Sequence, residues 1–372
     1  LFSSNDVDAG TRLLLKAMAA RLDLPELSSV LDVGCGMGVI GISIAGVAPR
    51  ARIVFQDRDA LAVAFARENA AANEVMNADF HCGLALWGLG HSTFDLVVSN
   101  LPAKAGRPVL ESFFRSVPGK LTASGVGAVV IVSPLEKLAR DSIQSAGCLL
   151  FHSESTGKHS VFFFRRPATL SRPEGPLENL APYLRKCQRF SSEDVEYDLE
   201  TAYNLPDFDT LGYAAGLAQE TLPSSAITGN ALYWNPGQGH LPVFSERKRP
   251  GGFKTVRIAG RDALEMAISE RNLLSAGRRG VQTLLLATEA GMAEATEAES
   301  VDLLSVLVRP VPKAPWNADT VQSAEKILAP GGLFLLAGES TEVFRVLDLC
   351  SGFTLLDSRK KFGYRAALLR RR

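Results

Sequence analysis

Apolar and polar positions follow two periods along this chain, and these periods predict strands and helices in alternation. Short apolar runs bounded by turn residues indicate buried strands, and in the first half they lie at 29–33, 52–56, 94–99, 126–132 and 160–164. Longer amphipathic stretches indicate helices, and they lie at 11–21, 38–47, 59–73, 106–120 and 134–146. This alternation predicts a parallel sheet with helices on both faces. Such sheets bind ligands at the carboxyl ends of their strands.

The two halves of the chain resemble each other. RDALAVAFARENAAAN (58–73) matches RDALEMAISERNLLSA (261–276), at an offset of 203 residues. At the same offset, VLDVGCGMG (30–38) aligns with YWNPGQGHL (233–241). Later matches keep the same order: FDLVVS with VDLLSV, and LTASGVGAVVIVS with LAPGGLFLLAGES. Ordered matches at a nearly constant offset indicate that one domain was duplicated.

The predicted fold class is therefore α/β, with tandem duplicated Rossmann-like domains built on doubly wound, mainly parallel sheets. A segment rich in Pro, Gly and charged residues separates the two halves around 165–182, as expected of a linker. We assign residues 1–168 to the first domain, 169–204 to a linker and lead-in, and 205–372 to the second domain.

The segment VLDVGCGMGVIGI predicts a ligand site. A strand ends, glycines alternate and a helix begins, which lets a ligand approach the backbone closely. Gly36, Gly38 and Gly41 have the spacing of a dinucleotide-binding loop. Gly34, Gly36 and Gly38, with Asp32 in the strand before them, are instead typical of a methyl-donor site. A carboxylate there suits the ammonium and sulfonium centres of S-adenosylmethionine better than a pyrophosphate, so the sequence favours the methyl donor.

Asp57 follows the second strand, where a carboxylate can accept hydrogen bonds from ribose hydroxyls. It could instead cap the helix at 59–73, but Asp59 is better placed for capping. In the second half, Asp57 aligns with Gly260, Asp32 with Asn235, and Gly38 with Leu241. We therefore expect the second domain to keep the fold and to have lost the cofactor.

The stretch SNLPAKAG places Asn100 at the carboxyl end of a predicted strand. Exocyclic amines of bases are poor nucleophiles, because their lone pair is delocalised into the ring. An amide oxygen and a neighbouring backbone carbonyl can accept both N–H bonds of such an amine, which favours a pyramidal nitrogen. Pro102 would fix the backbone and free a carbonyl to point inward. The alternative is a plain turn that ends the strand.

Taken together, FSSNDVDAGTRLLL (2–15), the glycine loop, Asp57 and FDLVVSNLPAKAG (94–106) resemble class I methyltransferases that modify a guanine exocyclic amine of small-subunit ribosomal RNA. Those enzymes usually have one active and one degenerate half. The resemblance is strong over residues 1–165 and weaker over 205–372. It implies that S-adenosylmethionine is bound by Gly10, Thr11, Asp32, Gly34, Gly36, Gly38, Asp57, Arg58, Cys82, Gly83 and Asn100.

The resemblance also implies where these residues act. Gly10 and Thr11 would lie near the methionine end of the cofactor, Asp32 near its amino group and Asp57 at the ribose. The region after Phe80 would approach the adenine. Asn100 and Pro102 would hold the target amine, as the catalytic residues.

Some positions depart from the family pattern. The family motif is usually Asn-Pro-Pro followed by an aromatic or bulky apolar residue, whereas here Leu101 and Ala103 flank Pro102. Ala103 lacks the side chain that packs on the base, and Phe2 is a candidate to supply it. The usual acid or amide after the third strand is missing, and the intact half comes first instead of second. The predicted substrate contacts are Phe2, Leu101, Ala103 and Lys104.

Composition limits the partners. Lys and Arg number 40 and balance 40 Asp and Glu, so no global charge draws the chain to nucleic acid or membrane. Basic residues are nevertheless concentrated locally in the second half, at 245–254, 278–279, 358–361 and 370–372. These stretches are either solvated surface or an RNA-docking platform, whose phosphate contacts would be sensitive to salt.

The cysteines and histidines predict no metal site. Five scattered cysteines without a Cys-x-x-Cys pair argue against zinc or a disulfide framework and favour the cytoplasm. The histidines show no metal spacing. No apolar run approaches the roughly 20 residues that span a bilayer. Because the chain begins Leu1-Phe2 without Met, we expect a segment to precede it.

The predicted protein is thus an S-adenosylmethionine-dependent N-methyltransferase of ribosomal RNA or the small ribosomal subunit, with guanine N2 as its target. The first domain is catalytic and the second degenerate. Three alternatives stay open at this point. One is a methyltransferase acting on adenine, a protein glutamine or a small molecule. Another is a non-catalytic RNA-binding or assembly protein, and the third is a nicotinamide-dependent oxidoreductase.

Overall fold

The computed structural model describes residues 7–167 and 179–372. They divide into two compact units, with the boundary between Tyr183 and Leu184. Phe2 lies outside the described residues, so its predicted contact with the substrate stays a prediction. The segment predicted as linker and lead-in contains a two-stranded hairpin, β8 (Leu184–Ser192) and β9 (Val195–Ala202), which is part of the second unit.

The first unit is built on one seven-stranded sheet. Its helices are α1 (Ala9–Arg21), α2 (Val39–Val47), α3 (Ala60–Ala72), α4 (Arg107–Ser116) and α5 (Glu136–Ser145). Its strands are β1 (Ser29–Val33), β2 (Arg52–Asp57), β3 (Ala78–Cys82), β4 (Phe94–Asn100), β5 (Leu121–Val132), β6 (Leu149–Ser155) and β7 (His159–Arg165). The strand order is β3-β2-β1-β4-β5-β7-β6. Only the pairs that involve β7 are antiparallel.

Alternation along β1 sends neighbouring side chains to opposite faces of this sheet. Val30 belongs to a buried cluster with residues of α1, α2 and α3. Leu31 belongs to a second buried cluster with residues of α4 and α5. Both faces are therefore covered, and the carboxyl ends of β1, β2 and β4 reach the same edge of the sheet.

The second unit begins with the hairpin of β8 (Leu184–Ser192) and β9 (Val195–Ala202) and then repeats the arrangement of the first unit. Its helices are α6 (Tyr213–Thr221), α7 (His240–Lys248), α8 (Ala263–Ser275), α9 (Ala290–Ala295), α10 (Trp316–Ile327) and α11 (Ser340–Leu347). Its strands are β10 (Gly229–Trp234), β11 (Phe253–Gly260), β12 (Gln282–Leu285), β13 (Val301–Leu307), β14 (Leu328–Glu339), β15 (Phe353–Lys361) and β16 (Tyr364–Arg371). The order β12-β11-β10-β13-β14-β16-β15 matches that of the first sheet, which confirms the predicted tandem fold.

The structure corrects the alignment of the two glycine loops by two residues. Gly38 caps α2 with a φ of 85°, and Gly239 caps α7 with a φ of 92°. Gly239 is therefore the counterpart of Gly38, whereas the sequence alignment paired Gly38 with Leu241. The same shift pairs Gly34 with Asn235, which also has a positive φ, of 53°.

Two extra residues near the start of β11 explain this shift. β11 has eight residues and β2 has six, although α2 and α7 both have nine. One of the two extra residues is a bulge, because the partner advances from Phe253 to Thr255 while β10 advances by one residue, from Gly229 to Asn230. Asp32 therefore corresponds to the buried Tyr233, whereas the alignment paired it with Asn235. The pairing of Asp57 with Gly260 holds, because both residues end the equivalent strand.

The described residues contain no helix long and apolar enough to cross a membrane. Within the same ranges, no group of His, Cys, Asp and Glu side chains is arranged to hold a metal ion. All five cysteines are free thiols.

Candidate functional site

The glycine loop after β1 forms an open cradle at the edge of the first sheet. Gly34 and Gly36 have φ angles of 69° and 55°, which L side chains rarely adopt. A Cβ atom on either residue would meet no heavy atom within 4 Å, so the backbone faces open space. The carbonyl of Gln56 holds the loop from below, since it accepts from the N–H groups of Gly34 at 2.7 Å and Cys35 at 3.0 Å.

The other two glycines of the motif serve packing. A Cβ atom on Gly41 would lie 2.4 Å from a ring carbon of Phe55, so α2 can sit on β2 only with glycine at this position. Gly38, with a φ of 85°, has a ring carbon of Phe55 at 3.3 Å from the same hypothetical atom. The dinucleotide-like spacing from Gly36 to Gly41 therefore has a structural explanation.

Asp57 fixes the loop from the end of the neighbouring strand. Its Oδ2 accepts from the N–H of Gly36 at 2.9 Å, and its Oδ1 accepts from the N–H of Asp59 at 2.9 Å. Asp59 caps α3, as predicted, by accepting from the N–H of Leu61 at 2.9 Å. Burial raises the pKa of Asp57. Each carboxylate oxygen still has a free lone pair, which leaves acceptor capacity at the cradle.

Asp32 lies beneath the loop and is fully buried. Its Oδ2 accepts from the N–H of Gly41 at 2.9 Å, at the start of α2. Burial, reinforced by the charge of Asp57, raises the pKa of Asp32 to about 7. Asp32 therefore supports the loop and helix from inside. Its predicted contact with the cofactor amino group stays a prediction.

The end of β3 completes the floor beside Asp57. The N–H of Gly83 donates to the Asp57 carbonyl at 2.9 Å, and Cys82 Sγ donates to the Arg58 carbonyl at 3.4 Å. Gln56 was not among the predicted site residues. Its fully buried amide nitrogen donates to the carbonyls of Ala85 at 2.6 Å and Trp87 at 2.9 Å. A polar residue inside an apolar strand was the available signal.

Asn100 is held by Asp8, which was not among the predicted site residues. Its amide nitrogen donates to the carboxylate of Asp8 at 3.1 Å and to the hydroxyl of Thr11 at 3.0 Å. A carboxylate can only accept hydrogen bonds. The amide group of Asn100 must therefore turn its nitrogen toward Asp8. The Asn100 oxygen, Oδ1, is the end that these contacts leave unused.

Asp8 also caps α1, and this role links the helix to Asn100. It accepts from the N–H groups of Gly10 at 2.8 Å and Thr11 at 3.1 Å, and from the Thr11 hydroxyl at 2.6 Å. Burial opposes the ionisation of Asp8, but the hydrogen bonds from Thr11, Gly10 and Asn100 outweigh it and lower its pKa. A Cβ atom on Gly10 would lie 3.0 Å from a ring carbon of His159, so a larger residue there would push against this ring.

The predicted substrate side of the site lies on the turn after β4. Leu101 is buried and donates its N–H to the Val130 carbonyl at 2.9 Å. The Pro102 carbonyl accepts from the N–H of Ala105 at 3.1 Å in a short 3₁₀ helix, Ala103–Ala105. Pro102, Ala103 and Lys104 are exposed. These residues therefore border the open edge of the sheet.

The equivalent position in the second unit is filled by the chain itself. Arg309 forms an ion pair with the buried Glu265, on α8. At the counterpart of Asp57, a Cβ atom on Gly260 would meet Asn235 Oδ1 at 3.2 Å and Met266 Cε at 3.0 Å. A Cβ atom on Gly237 would lie 3.8 Å from a guanidinium nitrogen of Arg309, whereas one on its counterpart in the first unit, Gly36, would meet no heavy atom within 4 Å.

Comparisons with known proteins agree with this geometry. Residues 1–144 match the family model of the methyltransferase small domain. The fold is similar to the solved structure of the T. thermophilus 16S rRNA N2 G1207 methyltransferase RsmC in complex with AdoMet and guanosine. The match covers 100% of this chain and 94% of that chain, with a TM-score of 0.67 and 16% sequence identity. The tandem methyltransferase fold is therefore confirmed.

Two relatives in sequence each match about a third of this chain or less. The ribosomal RNA small subunit methyltransferase C of Pasteurella multocida is 36% identical over 121 residues, which cover 32% of this chain and 33% of that protein. The ribosomal RNA large subunit methyltransferase G of Streptomyces avermitilis is 37% identical over 105 residues, which cover 27% of this chain and 26% of that protein. The matches thus span about a quarter to a third of these relatives.

Proposed function

We propose that this chain, whose first unit matches the methyltransferase small domain, transfers a methyl group from S-adenosylmethionine to an exocyclic amine of ribosomal RNA. We further propose guanine N2 of the small subunit as the target. One observation carries this proposal. The amide of Asn100, oriented by Asp8, stands at the end of β4, next to the strand whose end bears the open glycine cradle.

The residues around the cradle fit S-adenosylmethionine. The open backbone at Gly34 and Gly36 leaves room for a bulky ligand. Asp57 keeps acceptor capacity for ribose hydroxyls, and the Cys82–Gly83 segment lies beside it for the adenine. When bound, the cofactor supplies an electrophilic methyl group on a sulfonium centre. Gly10 and Thr11, next to Asn100, would border its methionine end.

Asn100 would act on the amine through its free oxygen. An exocyclic amine has two N–H bonds, and Oδ1 of Asn100 together with the Leu101 carbonyl would accept them. These contacts favour a pyramidal nitrogen, so its lone pair is released from the ring and becomes nucleophilic. Holding the two reacting centres in line then removes much of the entropic barrier.

The named relatives support the choice of RNA. The two sequence relatives are named as ribosomal RNA methyltransferases of the small and large subunit, respectively. The full-length structural neighbour is named for N2 methylation of 16S rRNA. The site favours an amine over a ring nitrogen or a ribose hydroxyl, because Asn100 offers an acceptor and no general base.

The test is the transfer of a labelled methyl group from S-adenosylmethionine to small-subunit particles that lack base methylation. We expect label in the RNA with the wild-type chain and a loss of at least a hundredfold with Asn100→Ala. Phe344→Ala, an exposed aromatic on α11, is the control and should be fully active. Cofactor binding without label in RNA would shift the substrate to another amine or favour a binding protein.

A further inference from the structure

Some basic residues of the second unit are used inside the fold. Lys248 pairs with Glu193 and donates to the Leu222 carbonyl. Arg278 donates to the carbonyls of Phe253 and Lys254. The side chains of Lys248 and Arg278 are only 13% and 10% exposed. Other basic residues are exposed, and three of them, Arg359, Lys360 and Lys361, are consecutive near the tip of the hairpin of β15 and β16.

Aromatic rings gather at the same tip. Phe362 is 70% exposed, and its ring centroid lies 5.1 Å from that of Tyr213, the first residue of α6, which is 52% exposed. The ring of Tyr364 lies 5.6 Å from Tyr213. The ammonium of Lys361 stands 5.6 Å from the centroid of Phe362. We call these four residues the aromatic tip.

The turn itself conflicts with local preference. Phe362 and Gly363 join the two strands, and both have positive φ angles, 49° and 83°. Two-residue turns of this kind favour Asn-Gly, because a bulky side chain at the first position is strained. Because Phe362 is exposed, burial of its ring in the core does not compensate for this strain. Conflicts of this kind concentrate at functional sites.

The equivalent of the aromatic tip in the first unit lies beside the candidate active site. His159 opens β7 as Tyr364 opens β16, and it approaches Gly10 at the start of α1. In the second unit, Tyr364 meets Tyr213 at the start of α6. The aromatic tip therefore occupies the place that borders the candidate active site in the first unit, although the loop beside it is filled by Arg309.

We propose that the aromatic tip of the second unit binds an unpaired segment of RNA by stacking bases on Phe362 and Tyr213. Lys360 and Lys361 would contact the phosphates. Asp357 already pairs with Arg359, and Glu339 is the strand partner of Tyr364. Base–aromatic stacking combined with a basic track is a known mode of single-strand recognition. The choice of RNA as partner rests on the proposed function.

The test measures binding of a fluorescent unpaired oligoribonucleotide over a series of salt concentrations. Phe362→Asn removes the ring and suits the positive φ, so it should fold at least as well as the wild type. We expect Phe362→Asn and Tyr213→Ala each to weaken binding by about five- to a hundredfold without changing the salt slope. Lys361→Gln should instead reduce the slope by about 0.7. The exposed aromatic control, Phe344→Ala, should bind normally.

Unchanged affinity in the Phe362→Asn, Tyr213→Ala double variant would overturn the proposal. If that variant instead lost self-association in sedimentation, the tip would be a protein interface. Methyl transfer to RNA, measured in parallel, separates this outcome from failure of the proposed function. If the double variant still transfers methyl groups with an unchanged KM, the proposal for the aromatic tip is wrong and the proposed function stands. If the wild-type chain transfers no methyl group but its binding to RNA depends on the aromatic tip, the proposed function is wrong and the proposal for the tip stands.

Discussion

Substitution of Asp8 would test the proposed site most finely, because Asp8 touches Asn100 without lying on the strand end itself. Asp8→Asn keeps a capping acceptor for α1, since Asn and Asp cap helices equally well. Its neutral amide, however, no longer dictates the orientation of the Asn100 amide. A hydrogen bond to a charged group is worth about 1.5–3 kcal/mol. Its loss should therefore lower kcat/KM for methyl transfer about 10- to 150-fold, at 1.36 kcal/mol per decade.

The stability of the variants separates this effect from the cap. Asp8→Ala should lose both the contact with Asn100 and the cap, and the cap is worth about 0.5–2 kcal/mol in urea unfolding. Asp262 is a matched control in the second unit, because it caps α8 by accepting from the N–H groups of Leu264 and Glu265. Asp262→Ala should lose similar stability and keep kcat/KM. An Asp8→Asn variant with wild-type kcat/KM would refute the orienting role.

Two further predictions concern the acids of the loops. Asp57→Ala should abolish S-adenosylmethionine binding in calorimetry, whereas Gly260→Asp should add no second site, because Asn235 and Met266 crowd that position; undiminished binding by Asp57→Ala would mean that the cofactor binds elsewhere. The first unit should lose stability as pH rises from about 4 to about 7, because burial raises the pKa of Asp32 to about 7 and only the unfolded chain releases that proton in this range. Asp32→Asn should flatten this dependence in urea midpoints at pH 5 and 8, and a slope equal to that of the wild type would contradict the assignment.

The strands that position the site could be predicted from the sequence, because each is a continuous apolar run. β1, β2 and β4 begin at the predicted residues, and the predicted β5 and β7 lie within the observed strands. β3 and β6 were missed. β3 (Ala78–Cys82) carries Asp79 and His81 and is only partly buried, and β6 is an edge strand whose burial alternates. Neither segment has the unbroken apolar pattern that marks a strand buried on both faces.

The register of the second glycine loop was misread because sequence identity was used as a guide to backbone conformation. A gapless alignment paired glycine with glycine and placed Leu241 at the cap of the helix. The chain instead requires a left-handed residue at three alternate positions, and Asn235 fills the first of them. Asn tolerates this conformation better than most other residues, so conformation is retained where identity is lost.

The contact between Asp8 and Asn100 joins residues 92 positions apart, and no local pattern predicts it. The sequence did hold a partial signal, because Asp directly before a helix is a common cap. The predicted helix began at residue 11 instead of Ala9, and this error hid the capping position. One carboxylate, that of Asp8, thus both caps α1 and orients the amide of Asn100.

The most direct test of the central claim is nucleoside analysis by mass spectrometry. Small-subunit RNA that lacks base methylation would be incubated with the wild-type chain and S-adenosylmethionine, then digested to nucleosides. We expect N2-methylguanosine with the wild-type chain and none with Asn100→Ala. A methyl group on a ring nitrogen, on a ribose or on protein, or N2-methylguanosine formed equally well by Asn100→Ala, would contradict the role assigned to the Asn100 amide.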